Sequence, residues 1–113
     1  LFSKFKNNKI KEKCTRSSAI IIICMQRDPK NSIPEWEEIA STSMAVQNIW
    51  LTCTANKIGC YWSSPKSIEK IHQFIKLNSG ERCLGFLYLG NYDLSENSSV
   101  KRDSIDQKVN WIG

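Results

Sequence analysis

The most reactive side chains in this sequence are five thiols: Cys14, Cys24, Cys53, Cys60 and Cys83. Their number is odd and no two are spaced as Cys-x-x-Cys. Cys24, Cys53, Cys60 and Cys83 fall inside apolar segments, where small buried thiols of a reducing cytosol are expected. A zinc centre needs clustered ligands. The one histidine, His72, lies on a stretch with amphipathic helical spacing and reads as a surface or half-buried residue rather than a catalytic base.

Other groups have chemical potential but plain structural readings when taken alone. Gln47 and Asn48 are the large polar groups of an otherwise apolar helical run; they can reach a ring or a partner helix, but a buried amide is in any case obliged to find hydrogen bonds. Trp62 reads as core or edge packing, Ser63 and Ser64 as helix caps, and Lys101 and Arg102 as solvated loop charges. The net charge of +5 is concentrated at Lys4, Lys6, Lys9, Lys11, Lys13 and Arg16. Such an arm can meet nucleic acid or acidic lipid. Its only interleaved aromatics are Phe2 and Phe5, so a wet helix face is expected and nucleic-acid binding is not.

The elements that must position these groups can be read in order. Leu1 to Lys13 is polar and basic, a frayed helix or linker. Ser17 to Gln26 carries four consecutive isoleucines, which argues for a strand buried on both faces. Ile33 to Ser64 organises the chain. Ser32 with Glu35 reads as a capping box and Pro34 as a first-turn residue. Trp36, Ile39, Ser43, Val46, Trp50 and Cys53 recur on one helical face. Ser41 to Thr54 lacks a charged residue, so the helix is expected to be buried all round, with a partner subunit or further chain covering it. Asn56 or Gly59 is expected to supply a left-handed cap, followed by a strand from Ile58 to Trp62 and a second helix from Pro65 to Lys76. Asn78-Ser79-Gly80 reads as a turn, and Arg82 to Leu89 as a buried strand whose Gly85 implies a bulge or a close backbone approach. Asn91 to Asp103 reads as a long surface loop, and Trp111 as a residue that needs a surface to pack on. The longest apolar run, Ala19 to Met25, is too short to span a bilayer, and no apolar signal-peptide core precedes it.

Four blocks in this order resemble the flavin-dependent nitroreductase family: the helix start IPEWEE, the run AVQNIWLTCTANKIGCYWSS, the strand RCLGFLYLGNYD, and the tail from Lys101 to Trp111. The family's opening Arg-Arg-Ser-type motif, which grips the flavin phosphate, has no counterpart near Leu1. The resemblance therefore implies a single partial domain over residues 1–113. The implied fold class is α+β, with a mixed or antiparallel sheet flanked by helices and a long central dimer-interface helix.

The resemblance also implies a function. An FMN-dependent oxidoreductase of this type takes hydride from NAD(P)H in a ping-pong cycle and passes it to a nitroaromatic or quinone-like acceptor. Trp62, Ser63 and Ser64 would occupy the flavin-contacting strand end, and Lys101 and Arg102 the basic pair at the phosphate. No residue is assigned a catalytic acid or base role, because the cofactor carries the chemistry. A cytoplasmic homodimer without metal, nucleic acid or membrane partners is implied. The alternative is a truncated piece that associates with other chains but does not hold flavin.

Overall fold

Four β-branched isoleucines in a row disfavour a helix, and they stand in strand β1 (Ala19–Gln26). The computed structural model describes residues 2–93 and 102–112, with side chains from Asn8 onward. Helix α1 (Phe2–Arg16) precedes β1. Helix α2 (Glu35–Ala55), strand β2 (Gly59–Ser63), a 3₁₀ helix (Lys66–Gln73), strand β3 (Glu81–Gly90) and a 3₁₀ turn (Ile105–Gln107) follow. The sheet order is β1-β3-β2 and both pairings are antiparallel, so of the two sheet types expected the antiparallel one is found. Helix α2 lies on the face of Ile23 and Leu87, while α1 and the 3₁₀ helix flank the opposite face.

Both ends of α2 differ from expectation. Ser32 makes no cap. Its hydroxyl and its N–H both go to the Asp28 carboxylate, which also accepts from Lys30 N–H at 3.0 Å. These three bonds hold the Asp28 carboxyl below the usual carboxylate range. The N-cap position is Pro34, with no side-chain cap, and Glu35, Glu37 and Glu38 supply the negative charge that the helix dipole favours there. Glu38 also pairs with Arg27 and accepts from Asp28 N–H at 2.6 Å, which pins the preceding loop to the helix. At the other end Ile58 N–H reaches Cys53 O at 2.8 Å and Lys57 N–H reaches Thr54 O at 3.1 Å. This is a Schellman motif. The left-handed residue in it is Lys57, at φ 57°, rather than Asn56 or Gly59. Gly59 instead lets β2 approach β3: a Cβ there would meet Gly90 O at 3.0 Å.

The core is the cluster of Ile23, Val46 and Leu87, backed by Trp50, Cys60, Trp62, Leu84 and Leu89. The expected apolar face of α2 is correct from Ile39 to Cys53, but Trp36 at its start is 68% exposed. The outer face is open as well, with Met44 63% and Leu51 58% exposed, and Gln47 and Asn48 are exposed rather than buried. Strand β1 is not buried on both faces. It is an edge strand in which only Ile23 and Met25 are covered. The second helix is a 3₁₀ helix, closed by Ile68 N–H to Pro65 O at 2.9 Å. Ser64 does not cap it. The radius of gyration is 17.6 Å, against about 13 Å for a self-contained domain of this length. Much apolar surface is therefore left facing outward.

Lys57→Gly relieves a left-handed penalty of about 1–2 kcal/mol, partly offset by the extra freedom of glycine in the unfolded chain. The variant is expected to raise the urea midpoint by a net gain of about 1 kcal/mol without changing the slope.

Candidate functional site

The end of β2 meets β3 at a discontinuity. Strand β1 pairs Ile23 with Gly85 and Cys24 with Cys83, which leaves Leu84 bulged out of the ladder. Ser64 Oγ donates to the Leu84 carbonyl at 2.8 Å, taking up the acceptor that the bulge releases. Beside it, Gly85 makes room for the Trp62 indole. A Cβ on Gly85 would clash with Trp62 Nε1 and lie 2.8 Å from Ser63 O. Both features expected of Gly85, a bulge and a close approach, occur together. The Trp62 indole packs against the core, and its Nε1 is buried without a hydrogen-bond partner. Ser63 is half-buried and pairs with Phe86, while Ser64 is exposed.

The opposite face of the same strands carries an aromatic row. Tyr61 and Phe86 each lie 6.4 Å from Tyr88, ring centroid to centroid. Lys13 Nζ sits 4.4 Å over the Tyr61 ring and 3.4 Å from its hydroxyl. A cleft of about 440 Å³ opens there, between Lys9, Lys13 and Arg16 of α1 and the two tyrosines. Burial, then the nearby Cys14 and Tyr61, push the Tyr88 phenol up. On its other side an apolar groove of about 390 Å³ runs between Ile10, Ile20, Ile22 and Phe74. Sequence reasoning treated the α1 lysines as a wet face and missed this cleft. The signal was the Lys9/Lys13 spacing, which puts both on one side of a helix, but nothing local pointed to Tyr61 as its floor.

The remaining candidates are dispersed. Arg102 is exposed, and Lys101 lies outside the described residues. The structure brings Trp62, Ser63 and Ser64 together at the end of β2. His72 is exposed, its Nδ1 3.0 Å from Glu69 O. All five cysteines are free, with Cys53 and Cys83 buried. Among the described residues no cluster of three or more His, Cys, Asp or Glu could hold a metal ion, and no helix is long and apolar enough to cross a membrane.

Comparison with known proteins agrees with this architecture. The model of the nitroreductase family matches residues 2–91. The chain is 25% identical over 87 residues to YdjA of Escherichia coli strain K12, whose name places it among NAD(P)H nitroreductases. The match covers 75% of this chain and 48% of YdjA. The same figures hold for YdjA of Escherichia coli O157:H7. A crystal structure of a nitroreductase-like family protein from Bacillus cereus superposes with a TM-score of 0.77 at 27% identity, covering 97% of this chain and 59% of that one. The chain belongs to the nitroreductase family. It spans about half the length of the curated relatives it matches.

The space over Gly85 leaves no room for a side chain. Gly85→Ala must displace both a rigid indole and the Ser63 carbonyl. It is expected to cost about 1–3 kcal/mol, measured by chemical denaturation, and to change the near-UV circular dichroism as Trp62 moves.

Proposed function

We propose that this chain is part of an FMN-dependent NAD(P)H oxidoreductase of nitroreductase type. The observation that carries the reading is the family match across residues 2–91. When bound, FMN supplies the hydride chemistry, accepting from NAD(P)H and delivering to an electron-poor acceptor such as a nitroaromatic or quinone. The protein's part is to bind, orient and exclude water. Trp62, Ser63 and Ser64 meet the ring, and Lys101 and Arg102 meet the phosphate. The donors present suit such a guest. Trp62 Nε1 is a buried N–H without an acceptor, a cost of about 1–3 kcal/mol that the carbonyl edge of a flavin would remove. Arg102 offers a planar fork suited to phosphate oxygens. Asp103 follows directly and weakens that field.

The assembly in this proposal is a cytoplasmic homodimer. Met44, Gln47, Asn48 and Leu51 share the outer face of α2 and are all exposed, and an uncharged helix face of this kind needs a cover. A second reading rests on the chain's span of 48% of its relative. On that reading it associates through α2 but does not hold flavin unaided.

An FMN titration followed by flavin fluorescence separates the two. Saturable quenching, weakened roughly 10-fold or more by Arg102→Ala as a charge-assisted bond is lost, supports the enzyme reading. No quenching leaves the association reading. In the same preparation, Leu51→Asp is expected to convert the dimer to monomer in sedimentation experiments. A dimer that withstands the change would remove α2 from the interface.

A further inference from the structure

Four of the five cysteines stand as two pairs of neighbours. Cys53, at the end of α2, lies against Cys60 of β2, and burial pushes the Cys60 thiol up to about 11. Cys24 of β1 lies directly opposite Cys83 of β3. The two pairs differ in access: Cys24 is exposed, whereas Cys53 is buried and Cys60 half-buried.

The geometry of the Cys24–Cys83 pair follows from the ladder around it. Arg27 N–H donates to Gly80 O at 2.9 Å, so Arg27 and Gly80 form a hydrogen-bonded pair. Antiparallel pairs alternate in kind. Counting back through Gln26–Glu81 and Met25–Arg82 in the printed register makes Cys24–Cys83 a non-hydrogen-bonded pair. In such a pair the Cα atoms approach to about 4.5 Å with the side chains turned toward each other. A disulfide spans Cα separations of about 4.4–6.8 Å. Cys83 Sγ lies 3.7 Å from Gly85 O, at the bulge that borders the pair. The bulge at Leu84 interrupts the ladder immediately beyond the pair, which gives the strands local freedom to adjust.

We infer that Cys24 and Cys83 are a modification site at which a small-molecule disulfide of the glutathione type oxidises the pair to a reversible cross-strand disulfide. The exposed Cys24 reacts first. Its thiolate attacks the small-molecule disulfide, forms a mixed disulfide and releases one thiol. Cys83 then gives up its proton and attacks the Cys24 sulfur, expelling the second thiol. The protein loses two electrons and two protons, and the small molecule gains them as two thiols. Partial desolvation, then the neighbouring Cys83, raise the Cys24 thiol above its ordinary value, with a smaller push from Glu81. The thiolate is therefore a minor form, and the nearby second thiol drives the exchange to completion. The product fixes edge strand β1 to the central strand.

The test treats the reduced chain with oxidised glutathione, blocks remaining thiols with iodoacetamide, and maps tryptic peptides by mass spectrometry. The expected result is the Ser17–Arg27 peptide joined to the peptide that begins at Cys83, and released by reductant. Cys24→Ser, at an exposed position, abolishes the linkage, while Cys60→Ser keeps it. The oxidised wild type melts several degrees above the reduced form, and Cys24→Ser shows no such rise. A glutathione adduct on Cys24 that persists beside an alkylated Cys83 overturns the inference. So does a linkage of either cysteine to Cys14, Cys53 or Cys60, or an unchanged melting temperature in a chain shown to carry the bond.

Discussion

Strand β3 is hydrogen-bonded along both edges, and nearly every other element takes its position from it. β1 reads its register from Ala19–Leu89 to Gln26–Glu81, and β2 from Gly59–Gly90 to Ser63–Phe86. Leu87, the one fully buried large side chain among the described residues, sits at the centre of this strand beneath α2. Tyr88, the next residue, faces the other way and forms the wall shared by the basic cleft and the apolar groove. One alternating strand therefore supplies both the core on one face and the aromatic row on the other.

The bulge at Leu84 is where this regularity is given up, and the features of the β2 end gather there. Leu84 leaves the ladder, its carbonyl turns to Ser64, and Gly85 opens the space that the Trp62 indole fills. Each depends on the others. A side chain at Gly85 would evict the indole, and without the bulge the Leu84 carbonyl would have no need of the serine. The unpartnered Trp62 N–H stands at this junction, so the most strained hydrogen-bonding account in the described chain coincides with the strand end to which the family resemblance assigns flavin contact.

The course of α2 was legible because its apolar residues repeat over many turns, and a repeat that long outweighs local ambiguity. Its cap was not, because Ser32 has two possible partners and the sequence does not rank them. The Asp28 carboxylate wins with a charge-assisted bond. Lys57 in the left-handed position was missed for a related reason: the preference for Gly or Asn is a tendency, and the two Schellman hydrogen bonds outweigh it. From Pro65 the apolar residues Ile68, Ile71, Phe74 and Ile75 suit an α-helix, but the first three of these also fit a three-residue period, and the chain tightens to a 3₁₀ helix. Strand β1 was recognised as a strand and misjudged in burial, because a run of isoleucines records that a surface wants covering and not whether this chain covers it. Of the residues proposed for a flavin site, Trp62 to Ser64 are adjacent in sequence and stay adjacent in space. Arg102 depends on a long polar connection whose path no local pattern determines.

The exposed outer edge of β1 bears on how this chain behaves in company. Its row of backbone donors and acceptors has no partner strand beyond it in the described sheet, and Ile20, Ile21 and Ile22 beside it are each about two-fifths exposed. An uncharged, β-branched edge is a template for strand addition, and a six-residue stretch such as AIIIIC has the composition of a self-stacking segment. No lysine, proline or inward-facing charge interrupts that stretch to discourage it. Whatever strand or surface covers β1 also acts as its guard against aggregation.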